Sequence, residues 1–444
     1  MQVIIEPREK MRGEKKYCYF NVYWIFMLAL IIRLLFSPNN YVDDRRYILL
    51  SNQILKGNFD LDVGILLSAP FFPYLLAELK YLMPVYWYEL LFFLQILISS
   101  LCIFCIYEIG LILFNNKRIA LLSAIIYTVY PDTFMYVRAI GQEVFFQSFL
   151  IFCIYFFIKF THTNKYRDII FSSVFFSFCF LTKSFILLWS PFIVLLIFTN
   201  KKLSLQNKIT SSVIYTLICI IFTMPIGFYN LYKHNQYTLS SNGFSVMFWV
   251  GNSESAYTVG IIKKRYEQEV PDEFSKDTAF QMYNTAYLTN IDKYLNERKT
   301  WGSPSEVQEK FWRASVQWIE SNPKKFLQLR AYYLFRFIFP GHRPPNASFI
   351  SLAIIFLYSA LLYFSAFSGL YTALKQDFQK HSWILTLWLT MLLFSTIFCT
   401  EIRFRTITID SFLCLYAAFF IHTYFSTISK KRTFATHFSE IKQQ

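Results

Sequence analysis

Long apolar runs, separated by short polar segments, repeat along most of the 444-residue chain. A helix that crosses a bilayer needs about 20 consecutive apolar residues, and many of the runs come close to that length. We read about ten spans, near residues 19–37, 85–114, 119–131, 143–160, 169–182, 184–199, 209–229, 349–374, 383–400 and 411–429. The pattern therefore predicts an all-α, polytopic integral membrane protein.

The composition excludes several other classes of protein. Hydrophobic residues make up 55% of the chain and charged residues only 16%, whereas a soluble domain carries about 25% charged residues. Aromatic residues account for 20%, with only 12 Gly and 14 Pro. Disordered, collagen-like and disulfide-stapled secreted chains have different compositions.

The net charge of +15 raises the alternative of nucleic-acid binding. We expect no nucleic-acid partner, because the Lys and Arg residues collect in short segments beside the spans, as membrane topology requires. The basic segments are 1–18, 115–118, 159–168, 200–208, 374–381 and 430–444. With alternating spans they all lie on one side, which predicts that both termini are cytoplasmic.

The opposite side receives the two longest polar segments. The prediction is an N-terminal catalytic membrane module, 1–229, with a first external loop at 38–84. A large extracytoplasmic region follows at 230–348, and further spans and a cytoplasmic tail occupy 349–444. Within 305–340, apolar residues recur at helical spacing, which predicts an external helix.

A few ionisable residues fall on the predicted outer side. Such groups at the edge of a helix bundle are costly to place and usually line a polar cavity. The alternative is interfacial anchoring, in which Lys and Arg side chains reach the headgroups. Because the residues share one side, the cavity is favoured. They are Asp43, Asp44, Arg45, Arg46, Arg138, Glu143, Lys183, Glu401, Arg403 and Arg405.

The first of these clusters has a helical geometry. If residues 41–55 form a helix, Asp43, Arg46 and Tyr47 share one face. The carboxylate could then accept a proton from a hydroxyl, and the guanidinium could hold a departing phosphate. The alternative is a self-paired surface ion cluster that caps the start of the helix. An apolar stripe suited to the membrane interface would comprise Tyr47, Leu50, Ile54 and Leu55.

The segment Asp43–Tyr47, D-D-R-R-Y, resembles the D-E-x-R-Y motif of GT-C glycosyltransferases that use lipid-linked sugars. Among these are bacterial aminoarabinose transferases and protein O-mannosyltransferases. Two departures are Asp44 in place of Glu, and Ser68 or Ala69 in place of a Lys of the aminoarabinose branch. Further similar segments follow in order across residues 20–420: SAPFFPYLL (68–76), Glu143, FLTKSFILLWSP (180–191), the stretch 228–260, and EIRFRTITID (401–410).

The resemblance implies a GT-C-like fold and a polyprenyl-phosphate sugar as donor. The acceptor would be a hydroxyl of a lipid, glycan or protein, at an extracytoplasmic cavity. Asp43 would be the general base, while Asp44 and Glu143 would orient the acceptor or a divalent ion. Direct displacement would invert the anomeric centre. The resemblance also implies that Arg46 and Lys183 would neutralise the charge of the donor phosphate, with Arg403 and Arg405 as weaker candidates.

The sequence leaves other points open. No cofactor is certain, although a divalent cation stays an alternative. Two of the His residues, His234 and His342, lie on the predicted outer side without ligand spacing to a partner. The stretch 228–260 and the single-chain layout favour a bacterial plasma membrane.

Three other classes of protein compete with a glycosyltransferase. A transporter or a flippase for a lipid-linked sugar would explain the spans and charges, but the chain shows no matching halves with interrupted helices. A polymerase or ligase for lipid-linked oligosaccharides usually centres its charges in a late external loop, whereas here the first loop is richest. A structural scaffold has no reason to place these charges on one side.

Overall fold

The computed structural model describes residues 8–36, 44–58, 68–235, 237–240, 243–262, 278–288, 297, 300–338, 349–398 and 402–441. The α-helices in these ranges are α1 (Arg8–Phe36), α2 (Asp44–Leu55), α3 (Phe71–Leu82), α4 (Trp87–Phe114), α5 (Lys117–Val129), α6 (Glu143–Thr163), α7 (Tyr166–Thr182), α8 (Ser190–Thr199), α9 (Leu205–His234), α10 (Phe244–Gly251), α11 (Glu254–Tyr257), α12 (Thr278–Leu288), α13 (Pro304–Ser321), α14 (Pro323–Ile338), α15 (Phe349–Gln376), α16 (Phe378–Ile397), α17 (Ile402–Arg405) and α18 (Ser411–Ile441). Short 3-10 helices lie at Pro131–Thr133 and Ser184–Trp189, and π-helical turns at Thr258–Ile262 and Thr406–Asp410. The all-α prediction is confirmed.

Every predicted span coincides with helical structure. Within the described ranges, five helices are long and apolar enough to cross a membrane by length and composition, and shorter apolar stretches lie at Asn21–Leu35 and Ser184–Thr199. The chain is an integral membrane protein, while the number of ten spans stays a prediction. The five are Trp87–Phe114, Glu143–Thr163, Leu205–Lys233, Phe356–Gln376 and Arg403–Thr427.

Asparagine residues make the tight turns between neighbouring helices. Asn115 ends α4 with a φ of +48°, and Asn164 ends α6 with a φ of +57°. Asn tolerates this left-handed conformation better than most residues, because its short polar side chain bonds locally. Asn116 then caps α5 by accepting hydrogen bonds from the amides of Arg118 and Ile119. These turns place α4 against α5, and α6 against α7.

Helix α18 lies at the centre of the bundle, packed against α5 and α15. Its first two turns are wholly buried, from Ser411 to Ala418. Gly369 of α15 allows the closest approach, since an added Cβ there would lie 2.1 Å from the carbonyl oxygen of Tyr416.

Helix α2 packs on α3, and only part of its predicted apolar stripe is buried. Tyr47, Leu50 and Ile54 are buried, but Leu55 is 45% exposed. Successive residues of a helix point about 100° apart, so Leu55 cannot share the face of Ile54. The stripe was predicted to face the membrane interface, and that prediction is wrong for Tyr47, Leu50 and Ile54, whose side chains are buried within the protein.

The predicted external helix near 305–340 is present as α13 and α14. Ser303 and Glu306 form a capping box at the start of α13, which satisfies two backbone amides. Val307 and Phe311 then pack with Trp249 of α10 in a small second core. The predicted boundary at residue 229 falls inside α9, which continues to His234.

Candidate active site

A buried ion pair joins α6 to the end of α7. Nζ of Lys183 lies 3.0 Å from Oε1 of Glu143, and the two side chains are 7% and 1% exposed. Glu143 is the first residue of α6 and Lys183 follows the last residue of α7, so the antiparallel packing of these helices brings the two groups together. Buried charges persist only when they are paired.

A second cation approaches the same carboxylate from α17. Nη1 of Arg403 lies 3.8 Å from Oε1 of Glu143, and its side chain is 24% exposed. The Phe404 ring lies 5.8 Å from both Lys183 Nζ and Arg403 Cζ. Two cations therefore contact one carboxylate.

Hydrogen bonds continue from this pair to α2. Arg46 Nη2 donates to the Tyr47 hydroxyl at 2.9 Å, and the guanidinium carbon lies 4.8 Å from the centre of the Tyr47 ring. With the Gln142 amide turned so that its oxygen faces donors, that oxygen accepts from the Tyr47 hydroxyl at 3.0 Å and from Lys183 Nζ at 3.2 Å. We call Arg46, Lys183, Arg403 and Glu143 the cation cluster.

The proline-bearing segment SAPFFPYLL supports this arrangement. Phe72 is buried, and its ring packs edge-on against Tyr47 with the centroids 4.8 Å apart. Lys80 of α3 bonds Ser51 Oγ and Asn52 Oδ1 of α2, each at 2.8 Å. Burial lowers the pKa of Lys80 to about 8. Helix α3 thus holds both ends of α2.

The predicted acidic residues of the first loop lie at the margin of the described structure. Asp43 lies outside the described residues, and so does His342. Asp44 is the first residue of α2, and its side chain is not described. Both aspartates precede Arg46 by two or three residues in sequence, and the role predicted for each stays a prediction.

Arg405 does not join the cation cluster. It is 4% exposed, its Nη1 donates to the carbonyl oxygen of Phe337 at 2.6 Å, and its Nε lies 3.3 Å from Oδ1 of Asp410. Residues two apart on a helix point about 200° from each other, so Arg403 and Arg405 face different neighbours. The charge of Arg405 is therefore engaged inside the protein, away from Glu143.

Sequence reasoning missed Gln142 and two residues, Asn252 and Arg330, that attach α10 and α14 to the rest of the protein. Asn252 is fully buried and donates to the carbonyl oxygens of Phe248 at 2.7 Å and Ile397 at 3.0 Å. Arg330 donates to the Ile397 carbonyl oxygen at 2.8 Å. These bonds join α10 and α14 to the end of α16. The sequence marks Asn252 only through the 228–260 resemblance and gives no signal for Arg330.

The described part of the chain does not by itself provide the ligands for a metal ion. Among the residues with described side chains, no three His, Cys, Asp or Glu come close enough together to hold a metal ion. The carboxylates of Asp43 and Asp44 are not among them. The divalent cation stays an alternative.

An apolar groove lies between α7, α8 and α9, with a volume of about 200 Å³. Its lining includes Phe180 and Leu187, which precede and follow Lys183 in sequence, and it continues along α9 from Tyr215 to Thr223.

Comparison with known proteins agrees with this architecture. Residues 68–229, which contain Glu143 and Lys183, match a family model described as dolichyl-phosphate-mannose-protein mannosyltransferase. No curated protein sequence matches the chain significantly. The match covers the motifs from the proline segment through α9.

Solved structures extend the likeness to nearly the whole chain. The oligosaccharyltransferase AglB from Archaeoglobus fulgidus, in complex with an inhibitory peptide and a dolichol-phosphate, superposes with a TM-score of 0.55 at 13% identity, covering 96% of this chain and 52% of that one. The same enzyme tethered to an acceptor peptide containing the NVT sequon gives 0.56 at 12% identity, with 95% and 51% covered. Its apo form gives 0.54 at 13% identity, with 96% and 52% covered.

The fold is thus that of GT-C glycosyltransferases, as the sequence motifs predicted. This chain spans about half the length of the AglB structures that it matches. At these identities the structural likeness establishes the fold, and together with the family match it supports the predicted class of enzyme, a glycosyltransferase.

Proposed function

We propose that the chain is a membrane glycosyltransferase that moves a sugar from a polyprenyl phosphate to an acceptor hydroxyl. The observation that carries the proposal is the cation cluster, in which Lys183 and Arg403 share Glu143 and Arg46 is joined through Tyr47 and Gln142. The family match over 68–229 and the GT-C fold support it.

The cation cluster would stabilise the leaving phosphate. Charge grows on the phosphate oxygens as the anomeric bond breaks, and fixed cations in a poorly hydrated site stabilise that charge strongly. Arg46 and Arg403 can bind two phosphate oxygens at once, whereas Lys183 acts as a point charge. Glu143 would position Lys183 and Arg403 instead of meeting the substrate itself.

The carboxylates of the first loop would act on the acceptor. Asp43 would take the proton of the acceptor hydroxyl while its oxygen bonds to the anomeric carbon and the polyprenyl phosphate leaves with the bonding electrons. Asp44 would orient the acceptor. The transition state has oxocarbenium character, and a single displacement inverts the anomeric centre. No step here depends on a metal ion.

The apolar groove offers a place for the first part of the polyprenyl tail. Its lining is mostly apolar, and it includes Phe180 and Leu187, the lining residues on either side of Lys183 in sequence. The donor would thus be held by cations at its head and by apolar contacts along its tail.

The cellular setting follows from the distribution of charge. We place both termini in the cytoplasm and the site on the outer side of a bacterial plasma membrane, because the basic segments share the side opposite to Glu143 and Lys183 in the predicted topology. The acceptor would be a lipid, a glycan or a protein.

The experiment is a transfer assay in nanodiscs with a panel of radiolabelled polyprenyl-phosphate sugars. It compares the wild type with Asp43→Asn, and with Asp60→Asn as a control from the same predicted loop. The proposal expects label on a membrane acceptor with the wild type and the control only. Equal transfer by Asp43→Asn would remove the assigned base. Movement of lipid or solute across vesicles without any transfer would favour the transporter.

A further inference from the structure

A second polar cluster, formed by Tyr130, Asp132 and Asp410, is buried in the protein. The Tyr130 hydroxyl lies 2.6 Å from Oδ2 of Asp132 and 3.0 Å from Oδ2 of Asp410. The two carboxyl groups are 5% and 0% exposed. Tyr363 also donates to Asp410. A hydroxyl has one hydrogen, so both contacts of Tyr130 can be full hydrogen bonds only when one of the two carboxyl groups is protonated.

Among the described residues, the charges of this cluster do not balance without that proton. Arg405 is the described cation that contacts the cluster, with its Nε 3.3 Å from Oδ1 of Asp410. Burial, with the charge of Asp410 as a second cause, raises the pKa of Asp132 to about 6. An excess negative charge without water is costly, and a bound proton removes it.

The other titratable groups that face the cluster stay neutral over the same pH range. The Tyr358 ring stacks on Tyr130 with the centroids 6.0 Å apart, the Tyr363 ring lies 4.9 Å from Arg405 Cζ, and Cys414 Sγ lies 3.8 Å from the Asp410 carbonyl oxygen. Phenols and thiols lose their protons well above neutral pH. The proton is therefore assigned to Asp132, whose Oδ2 lies 2.6 Å from the Tyr130 hydroxyl.

The cluster joins the two segments that carry the cation cluster. Asp410 and Arg405 belong to the same stretch as Arg403, and Asp132 begins the stretch that leads to Glu143. The π-helical turn Thr406–Asp410 turns this stretch toward α18, and such turns are frequent at functional sites. A change at Asp410 or Asp132 would therefore be passed to the Arg403–Glu143 contact.

We propose that Asp132 and Asp410 are positioning residues which, joined through the Tyr130 hydroxyl while Asp132 is protonated, lock residues 402–410 to residues 131–143 and so fix Arg403 beside Glu143. Loss of the proton leaves two carboxylates against one guanidinium, loosens the lock and weakens the hold of Arg403 on the donor phosphate. The part of the test that measures sugar transfer rests on the proposed function.

The test is the pH profile of kcat/KM for the donor. In the wild type we expect a fall of about ten-fold between about pH 5 and about pH 8, the size of a typical coupling between sites. Asp132→Asn can still accept from Tyr130 but does not titrate, so its profile should change less than about two-fold over that range. The change should lie mainly in the KM for the donor. A wild-type profile in Asp132→Asn would overturn the proposal.

Asp168→Asn is the matched control. Asp168 is equally buried and accepts from Thr163 Oγ1 at 2.7 Å, but it lies at the other end of α7. Its variant should keep the wild-type pH profile even if it lowers stability. The same change of profile in Asp168→Asn would mark a general loss of folding and overturn the positioning role.

A binding assay separates this inference from the proposed function. Polyprenyl phosphate without a sugar should bind the wild type more weakly as pH rises, and Tyr130→Phe, which removes the shared hydroxyl, should flatten that dependence. Absence of transfer at every pH would contradict the proposed function alone. Equal binding of polyprenyl phosphate by the wild type at low and high pH would contradict the positioning role.

Discussion

Tyr47 connects the residues of the site more directly than any charged group. Its hydroxyl accepts from Arg46 and donates to Gln142, which also accepts from Lys183. The sequence placed Tyr47 on the same helical face as Arg46 but could not reveal Gln142, because that partner lies on another element. Glu143 and Lys183 could be grouped from the predicted topology alone, since Glu143 begins one predicted span and Lys183 follows the end of the next.

Arg403 and Arg405 show where such grouping fails. The R-x-R pattern suggested one phosphate site, but the two side chains face different partners. Topology assigns residues to a side of the membrane, whereas helical rotation decides which neighbour a side chain meets.

Replacing Tyr47 by Phe tests the link at the scale of a residue. The Phe72 contact and the ring stay, so we expect a loss of only about 1 kcal/mol in unfolding free energy. The free energy of donor binding should weaken by more than this loss of stability, because Arg46 loses the hydroxyl that orients it. The measurement is binding of polyprenyl phosphate beside a thermal unfolding curve. Unchanged affinity would show that Arg46 is oriented without Tyr47.

Removing Lys183 tests the buried pair. Lys183→Ala strips Glu143 of its closer cation and should cost about 3 kcal/mol. The double variant Glu143→Gln with Lys183→Met removes both charges and should unfold at a higher temperature than Lys183→Ala. If the double variant is less stable than the single variant, the pair is not the source of the cost.

At the scale of elements, the apolar runs were predicted well because the pattern of a membrane helix is local. All of them proved helical, and the capping box explains why α13 begins at Pro304. The predicted interfacial stripe of α2 was wrong for Tyr47, Leu50 and Ile54, because an apolar face does not itself tell whether it packs against protein or against lipid. The contact between α2 and α3 could not be predicted, because it depends on Lys80 reaching Ser51 and Asn52.

Lys80 gives this contact a dependence on pH. Its folded pKa of about 8 lies below the unfolded value of about 10.4, so the unfolded chain binds more protons between these values. Stability should therefore rise as pH increases through this range. Thermal unfolding of the wild type and of Lys80→Met should show the rise only in the wild type. A parallel rise in both would assign it to another group.

At the scale of the molecule, the resemblance of ordered motifs predicted the GT-C fold before any packing was known. The assembly itself could not be predicted, because its polar links join distant parts of the chain. Tyr130 and Asp410 are 280 residues apart in sequence and 3.0 Å apart in space. Arg330 likewise ties α14 to the end of α16. Long-range pairs of this kind leave no periodic trace in a single sequence.

The central claim is that the cation cluster holds the phosphate of a lipid-linked sugar. The most direct measurement is the KM for a radiolabelled polyprenyl-phosphate sugar in nanodiscs, with Arg46→Ala and Arg403→Ala against Arg138→Ala. Arg138 is the matched control, because it bonds the Leu34 carbonyl oxygen at 2.9 Å and packs over Phe92 outside the cluster. We predict that KM rises about ten-fold or more in both cluster variants, as the loss of a charge-assisted bond requires, and stays unchanged in the control. Equal KM values in all three variants would contradict the account.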